Sequence, residues 1–160
     1  MTESTTIVCS IDPGKMSGVA AWRSDAPACM VADELDPLET VLFVIDLYRV
    51  HRSDLEVVSE KFTISERTIK TALSLDALDI NGWLTMQCQL WGISYEQQTP
   101  TQAKKFATDD KLKAIDWFER TKDGHANDAA RHLVVYLYRR HRTLFNEHIL
   151  PPMAKEILKP

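Results

Sequence analysis

Four residues of this sequence could act together on a phosphodiester: Asp12, Glu60, His125 and Asp128. Three carboxylates and one imidazole from separated segments repel one another if they converge, unless a cation neutralises them. Oxygen-rich ligation with a single imidazole suits Mg²⁺, with Mn²⁺ as the alternative. Two such ions ~4 Å apart activate water and stabilise the leaving oxygen in phosphodiester cleavage. Singly, each residue has an ordinary explanation. Asp12 precedes Pro13-Gly14 as a turn residue does, Glu60 reads as a strand charge, Asp128 suits the first turn of a helix, and His125 reads as a loop histidine. Their placement at the ends of elements is what points to shared chemistry.

The elements that must position them follow from periodicity and punctuation. Thr5–Asp12 is rich in β-branched residues and stops at Pro-Gly, so it reads as a strand. Ile7, Cys9 and Ile11 share one of its faces, and Val8, Ser10 and Asp12 the other. Ser17–Arg23 and Ala28–Asp33 are two further strands of an antiparallel meander. Asp36-Pro37 opens a helix whose apolar residues Leu38, Val41, Leu42, Ile45 and Tyr48 recur at helical spacing. Leu55–Phe62 is a fourth strand, with Glu60 on the face of Val58 and Glu56. A long helix is expected from about Ser65 to Trp91, interrupted near Asn81-Gly82, then a short strand over Ile93–Gln98. Two helices, Thr101–Ala107 and Asp109–Thr121, precede Gly124, and Asn127 to about His148 reads as the last long helix. If strands one and four are parallel neighbours, Asp12 and Glu60 lie about one strand spacing apart, ~5 Å. His125 and Asp128, three apart, face one direction.

The order predicts an α/β fold with a mixed five-stranded sheet, its first three strands antiparallel and helices on both faces. At 160 residues the chain is sized for one domain, taken as 1–160, with a tail from about 151 expected to be loosely held. Hydrophobic residues at 44% and charged residues at 26% exclude a disordered chain and a rod. No apolar run approaches the ~20 residues of a membrane span, and Met1–Thr6 lacks the pattern of a signal peptide. Cys9, Cys29 and Cys88 are far apart with no CxxC pair, which fits a reducing, cytoplasmic setting rather than a disulfide framework. Net charge is −4, yet its distribution is uneven. Residues 1–60 hold 4 Lys/Arg against 11 Asp/Glu, whereas residues 104–142 hold 10 against 6. An acidic site beside a basic stripe would look like this, and so would uneven solvated faces.

Ile11-Asp12-Pro13-Gly14 with Ser17-Gly18-Val19-Ala20 resembles the first two strands of RuvC-type Holliday junction resolvases. Val57-Val58-Ser59-Glu60 resembles their fourth strand, and Gly124-His125-Ala126-Asn127-Asp128-Ala129-Ala130-Arg131-His132 their closing motif. The likeness spans most of residues 5–140, and the segments from Gln98 to Phe106 and Asp110 to Lys113 look most like resolvases encoded by actinobacterial phages. It implies an RNase H-like fold in which Asp12, Glu60, His125 and Asp128 are the catalytic residues and ligate two Mg²⁺ or Mn²⁺ ions. His125 stands where many members carry aspartate. His132, one turn beyond Asp128, is left out of the metal set.

The resemblance also implies lysines that hold phosphates, Lys104 or Lys105 and Lys111 or Lys113, a role suited to flexible point charges. Phe62 matches an aromatic that stacks on an unpaired base, an interaction worth ~1–3 kcal/mol. Arg67 and Lys70 could track a DNA arm. The expected function is a metal-dependent, structure-selective endonuclease that resolves four-way and other branched DNA junctions during recombination, repair or phage packaging. The expected partners are branched DNA and a second copy of the chain, with no membrane and no small-molecule substrate. If the chain is phage-encoded, it would act in the host cytoplasm. A nucleotide-binding protein of the actin-like type needs a second half that this length lacks. A non-catalytic junction-binding module and an RNA-processing nuclease of the same fold remain as alternatives.

Overall fold

A computed structural model describes residues 5–64, 75–119 and 123–157. Three strands, β1 (Ile7–Asp12), β2 (Ser17–Arg23) and β3 (Met30–Leu35), form an antiparallel meander. Asp36 then starts helix α1 (Pro37–His51) with a reciprocal cap. Its carboxylate accepts from the Glu39 amide at 2.8 Å, and the Glu39 carboxylate accepts from the Asp36 amide at 3.1 Å. The chain returns as β4 (Leu55–Glu60), parallel to β1. Helix α2 (Asp76–Trp91) leads to β5 (Tyr95–Gln98), parallel to β4. The described residues thus form a five-stranded mixed sheet in the order β3-β2-β1-β4-β5, with β1 at its centre.

Every residue of β1 is buried, as expected of a strand covered on both faces. Ile7, Cys9 and Ile11 pack with Val44 of α1 and with Ile80, Leu84 and Cys88 of α2. Val8 packs on the opposite face with Ala129, Ala130 and Leu133 of helix α5 (His125–Arg140). The short helices α3 (Pro100–Phe106) and α4 (Asp109–Ala114) lie between β5 and α5 in sequence. After α5 come α6 (Arg142–Leu144), a π-helical turn over Phe145–Ile149, and α7 (Leu150–Ile157). No described helix is long and apolar enough to cross a membrane.

The α/β architecture and the meander are as expected, and several boundaries differ for physical reasons. β3 runs two residues later than expected. α1 buries Thr40 and Val44 while Leu38 and Leu42 are exposed. Thr40 can be buried because its hydroxyl donates to the Asp36 carbonyl at 2.7 Å. α2 runs unbroken through Asn81 and Gly82, since the buried Asn81 side chain is engaged by β4. α4 stops at Ala114, ahead of Asp116 in the left-handed region at φ 60°. α5 ends at Arg140, short of the expected His148, where His141 leaves helical geometry at φ −125°, ψ 56°. Of the tail expected to be loose, the described part is helical: Pro151 and Pro152 sit in the first turn of α7, where proline costs little, and Met153 is buried in the core. The first part of the helix expected from Ser65, with Arg67 and Lys70, lies outside the described residues.

Candidate active site

Register brings the two strand carboxylates together. Ile11 of β1 pairs with Ser59 of β4, so the next residues, Asp12 and Glu60, lie abreast at the carboxyl ends of adjacent parallel strands. Alternation puts Asp12 on the face of Val8, which α5 covers. Across the meander, Asp12 stands opposite Gly18, and Gly18 opposite Glu34. That row receives the start of α5. A Cβ on Gly18 would lie 1.8 Å from the His125 carbonyl oxygen, so only glycine allows the helix this close. The Glu34 carboxylate accepts from the His125 amide at 2.9 Å, occupying one of the unpaired donors of the first turn.

At this junction the His125 ring meets Asp12, with Nδ1 2.8 Å from Oδ2. Asp12 is 8% exposed, and burial pushes its carboxyl above the ordinary range. The hydrogen bond from His125 opposes the rise, while the charges of Glu60 and Asp128 add to it. The His125 ring is in turn held above its usual value by its bond to Asp12, against the effect of burial, with help from the charges of Asp12, Glu34 and Asp128. The charges of Glu60 and Asp128 therefore reach Asp12 across one rim of the sheet.

Each carboxylate also has a basic neighbour. Asp128 is paired with Arg131 and with Lys104, whose Nζ lies 3.1 Å from Oδ2. Arg131 reaches on to Asp109 at the start of α4 and to the Ala107 carbonyl, 3.1 Å from Nε, tying the α3–α4 connection to α5. Glu60 meets His132, Nε2 to Oε2, at 2.9 Å. Behind it, Asn81 donates to the Glu60 carbonyl at 3.0 Å and accepts from the Ser59 hydroxyl at 2.7 Å.

All four expected site residues thus lie at one end of the sheet, and of the four lysines only Lys104 contacts them. Lys105 is exposed and lines a groove with Phe106, Tyr138 and Arg139. Lys111 donates to the Phe106 carbonyl at 2.7 Å, and Lys113 lies over the Phe118 ring beside Asp110, so both are spent locally. Phe62 is half-buried, two residues beyond Glu60. Sequence reasoning missed Glu34, Arg131 and Gln98, and left His132 open between a support for the ligands and a plain helix residue. The i, i+4 spacing from Asp128 to His132 was the one signal available for any of them.

In kind, three carboxylates and an imidazole fit a hard divalent cation. In this arrangement, with each carboxylate held by a base, no group of three or more His, Cys, Asp or Glu side chains among the described residues is gathered closely enough to hold one.

The sheet order, the meander and the helix crossing β1 define an RNase H-like fold. Among solved structures, the chain is similar to Thermus thermophilus RuvC in complex with a Holliday junction substrate, with a TM-score of 0.58. Identity is 16%, over 86% of this chain and 96% of that one. A second Thermus thermophilus RuvC structure superposes with a TM-score of 0.52, also at 16% identity, over 85% of this chain and 97% of that one. No protein-family model and no curated protein sequence matches the chain.

Proposed function

We propose that this chain is a metal-dependent endonuclease that cuts branched DNA, four-way junctions foremost. The observation that carries this reading is the meeting of Asp12 and Glu60, at the ends of adjacent parallel strands, with the helix start that bears His125 and Asp128. A fold shared with RuvC, whose structure has been solved with a Holliday junction substrate, supports the choice of DNA substrate. Asp12, Glu60, His125 and Asp128 are assigned as the catalytic set and as the ligands of two Mg²⁺ or Mn²⁺ ions. Those ions would supply a nucleophilic hydroxide near neutral pH and charge stabilisation at the leaving oxygen.

The chain's own residues prepare the site. His125 and Asp12 share a hydrogen bond that keeps the imidazole over the strand end. Lys104 and Arg131 hold positive charge against Asp128. Asp128 would help hold a cation, and Lys104, its present partner, would then be available to a strand phosphate, a contact that positions without reading sequence. Lys105 and Phe62 are proposed as further DNA contacts; Lys111 and Lys113 would reach DNA only by leaving their present partners.

A homodimer would set two sites on the two strands to be cut. The exposed Leu75 just before α2 and Met86 and Leu90 along it support that assembly. The motif's likeness to phage-encoded resolvases supports the further proposal that the chain acts in a host cytoplasm, removing branches before packaging. The pairing of every site carboxylate with a base favours the second reading, a module that binds junctions without cutting. A substrate panel separates the two. Labelled four-way junction, flap, duplex and RNA–DNA hybrid are incubated with Mg²⁺, Mn²⁺ or EDTA. Metal-dependent nicks near the junction centre are expected. Tight junction binding without cleavage in either metal would establish the module, and cleavage confined to hybrids would move the substrate to RNA.

A further inference from the structure

We infer that His132 is a positioning residue that fixes the Glu60 carboxylate for cation binding. The inference rests on the metal-dependent reading above and assigns a role to a residue outside the proposed ligand set. His132 is 1% exposed, and both ring nitrogens are occupied. Nε2 lies 2.9 Å from Glu60 Oε2, and Nδ1 lies 3.1 Å from the Gln98 side-chain amide. Gln98 is itself buried and stands beside Glu60 in the β4–β5 register, with its carbonyl accepting from the Lys61 amide at 2.7 Å.

The Gln98 amide has two possible orientations, and only one of them gives every polar atom a partner. With Oε1 toward the ring, Gln98 Nε2 has none. With the amide turned, Nε2 donates to Nδ1 and the neutral ring keeps its proton on Nε2. In that orientation the Nε2–H donates to Glu60. His132 is therefore a donor facing a carboxylate, and its nitrogens are not presented to a metal.

Glutamate at a strand end has three torsions, and leaving them unfixed costs order each time a ligand binds. Here a buried ring, wedged between helix and sheet, holds one carboxylate oxygen. His125, Asp128 and His132 recur at i, i+3 and i+7 along α5, so they share one face of the helix. That face supplies two proposed ligands and the clamp on a third. Docking of one helix therefore fixes where Asp128 and His125 enter the site and holds one Glu60 oxygen.

The test is Mn²⁺ affinity, measured by calorimetry on the DNA-free full chain. Loss of a group that orients a ligand costs 10–100-fold in metal affinity as a rule, so His132→Leu is expected to weaken Mn²⁺ binding by about that factor. His132→Gln, which retains a donor, should recover part of the loss. Tyr136→Phe removes a buried hydroxyl that donates to Glu56, away from the site. It should lower the melting temperature while leaving Mn²⁺ affinity unchanged, which separates positioning from general stability. If the leucine variant does not fold, Gln98→Leu, which frees the other side of the ring, is expected to weaken Mn²⁺ in the same direction. Wild-type Mn²⁺ affinity in a cooperatively melting His132→Leu chain, or in Gln98→Leu where that variant takes its place, would overturn the positioning role and leave the metal reading standing. Absence of Mn²⁺ binding by the wild type would overturn both.

Discussion

Gly18→Ala is the substitution that most sharply tests how the site is assembled. The new methyl would lie 1.8 Å from the His125 carbonyl oxygen, 2.1 Å from its carbon and 2.7 Å from the Ala126 nitrogen. All three are backbone atoms, so no side chain can swing aside. Ordinary contact begins near 3.4 Å, and α5 must therefore withdraw by about 1.5 Å or tilt at its first turn. Overpacking of this kind costs about 1–3 kcal/mol. For a chain of this length each kcal/mol lowers Tm by ~2–4 °C, giving a fall of roughly 2–12 °C. The larger effect should be on catalysis, because the displaced atoms belong to the residue that contacts Asp12. A misplacement of ~1 Å costs about 100-fold in rate. Thermal unfolding and single-turnover junction cleavage, run on the same preparation, read both quantities. Full cleavage with a lowered Tm would refute the claim that contact at Gly18 sets the site, and an unchanged Tm would refute the close packing itself.

Gly82 offers the opposite case: it is exposed in the middle of α2 with nothing within 4 Å of an added Cβ. Gly82→Ala should therefore stabilise the chain by about 0.5–1 kcal/mol in denaturant melts and leave cleavage untouched. Lys104→Ala should weaken junction binding and reduce the slope of log affinity against log salt by about 1, with little change in Tm. Lys111→Ala should do the reverse, costing about 1–2 kcal/mol through the lost bond to the Phe106 carbonyl while preserving the salt slope. Burial pushes the Glu56 carboxyl up, but the hydrogen bonds from His141 and Tyr136, with the charges of His141 and Arg140, outweigh it and hold the group below its ordinary value. A depressed carboxylate contributes stability above its unfolded value that is lost as pH falls through its folded one. Glu56→Gln should therefore flatten the acid limb of a stability–pH curve below the usual glutamate range, and an unchanged limb would count against this network.

What could be read from the sequence was whatever depends on local pattern. The alternation in Ile7–Asp12 identified which side chains share a face with Asp12. The run Leu55–Phe62 put the second carboxylate near a strand end, although the strand stops at Glu60 itself, and the spacing of His125 and Asp128 put both on one side of a helix. What escaped depends on register between distant segments. Glu34 reaches His125 only because β3 aligns it with Gly18, and strand composition does not specify that offset. Lys111 looked as available as Lys104 until the α3–α4 turn brought the Phe106 carbonyl to it. Apolar spacing in α1 signals a helix without fixing its buried face: Leu38 and Leu42 are exposed, and docking buries Val44 and a threonine that satisfies its own hydroxyl. Arg131 and His132 stood in plain view within the closing motif. Their partners Asp109, Gln98 and Glu60 come from other elements.

The central claim is that Asp12 and its neighbours form a metal-dependent centre that cuts junction DNA. A four-way junction labelled on opposing strands, incubated with wild type or Asp12→Asn in Mg²⁺, tests it most directly. The account predicts paired nicks across the junction centre with wild type, none in EDTA, and none with Asp12→Asn, which still binds the junction. Equal cleavage by Asp12→Asn, or junction binding by wild type with no nicks in any divalent metal, would contradict it.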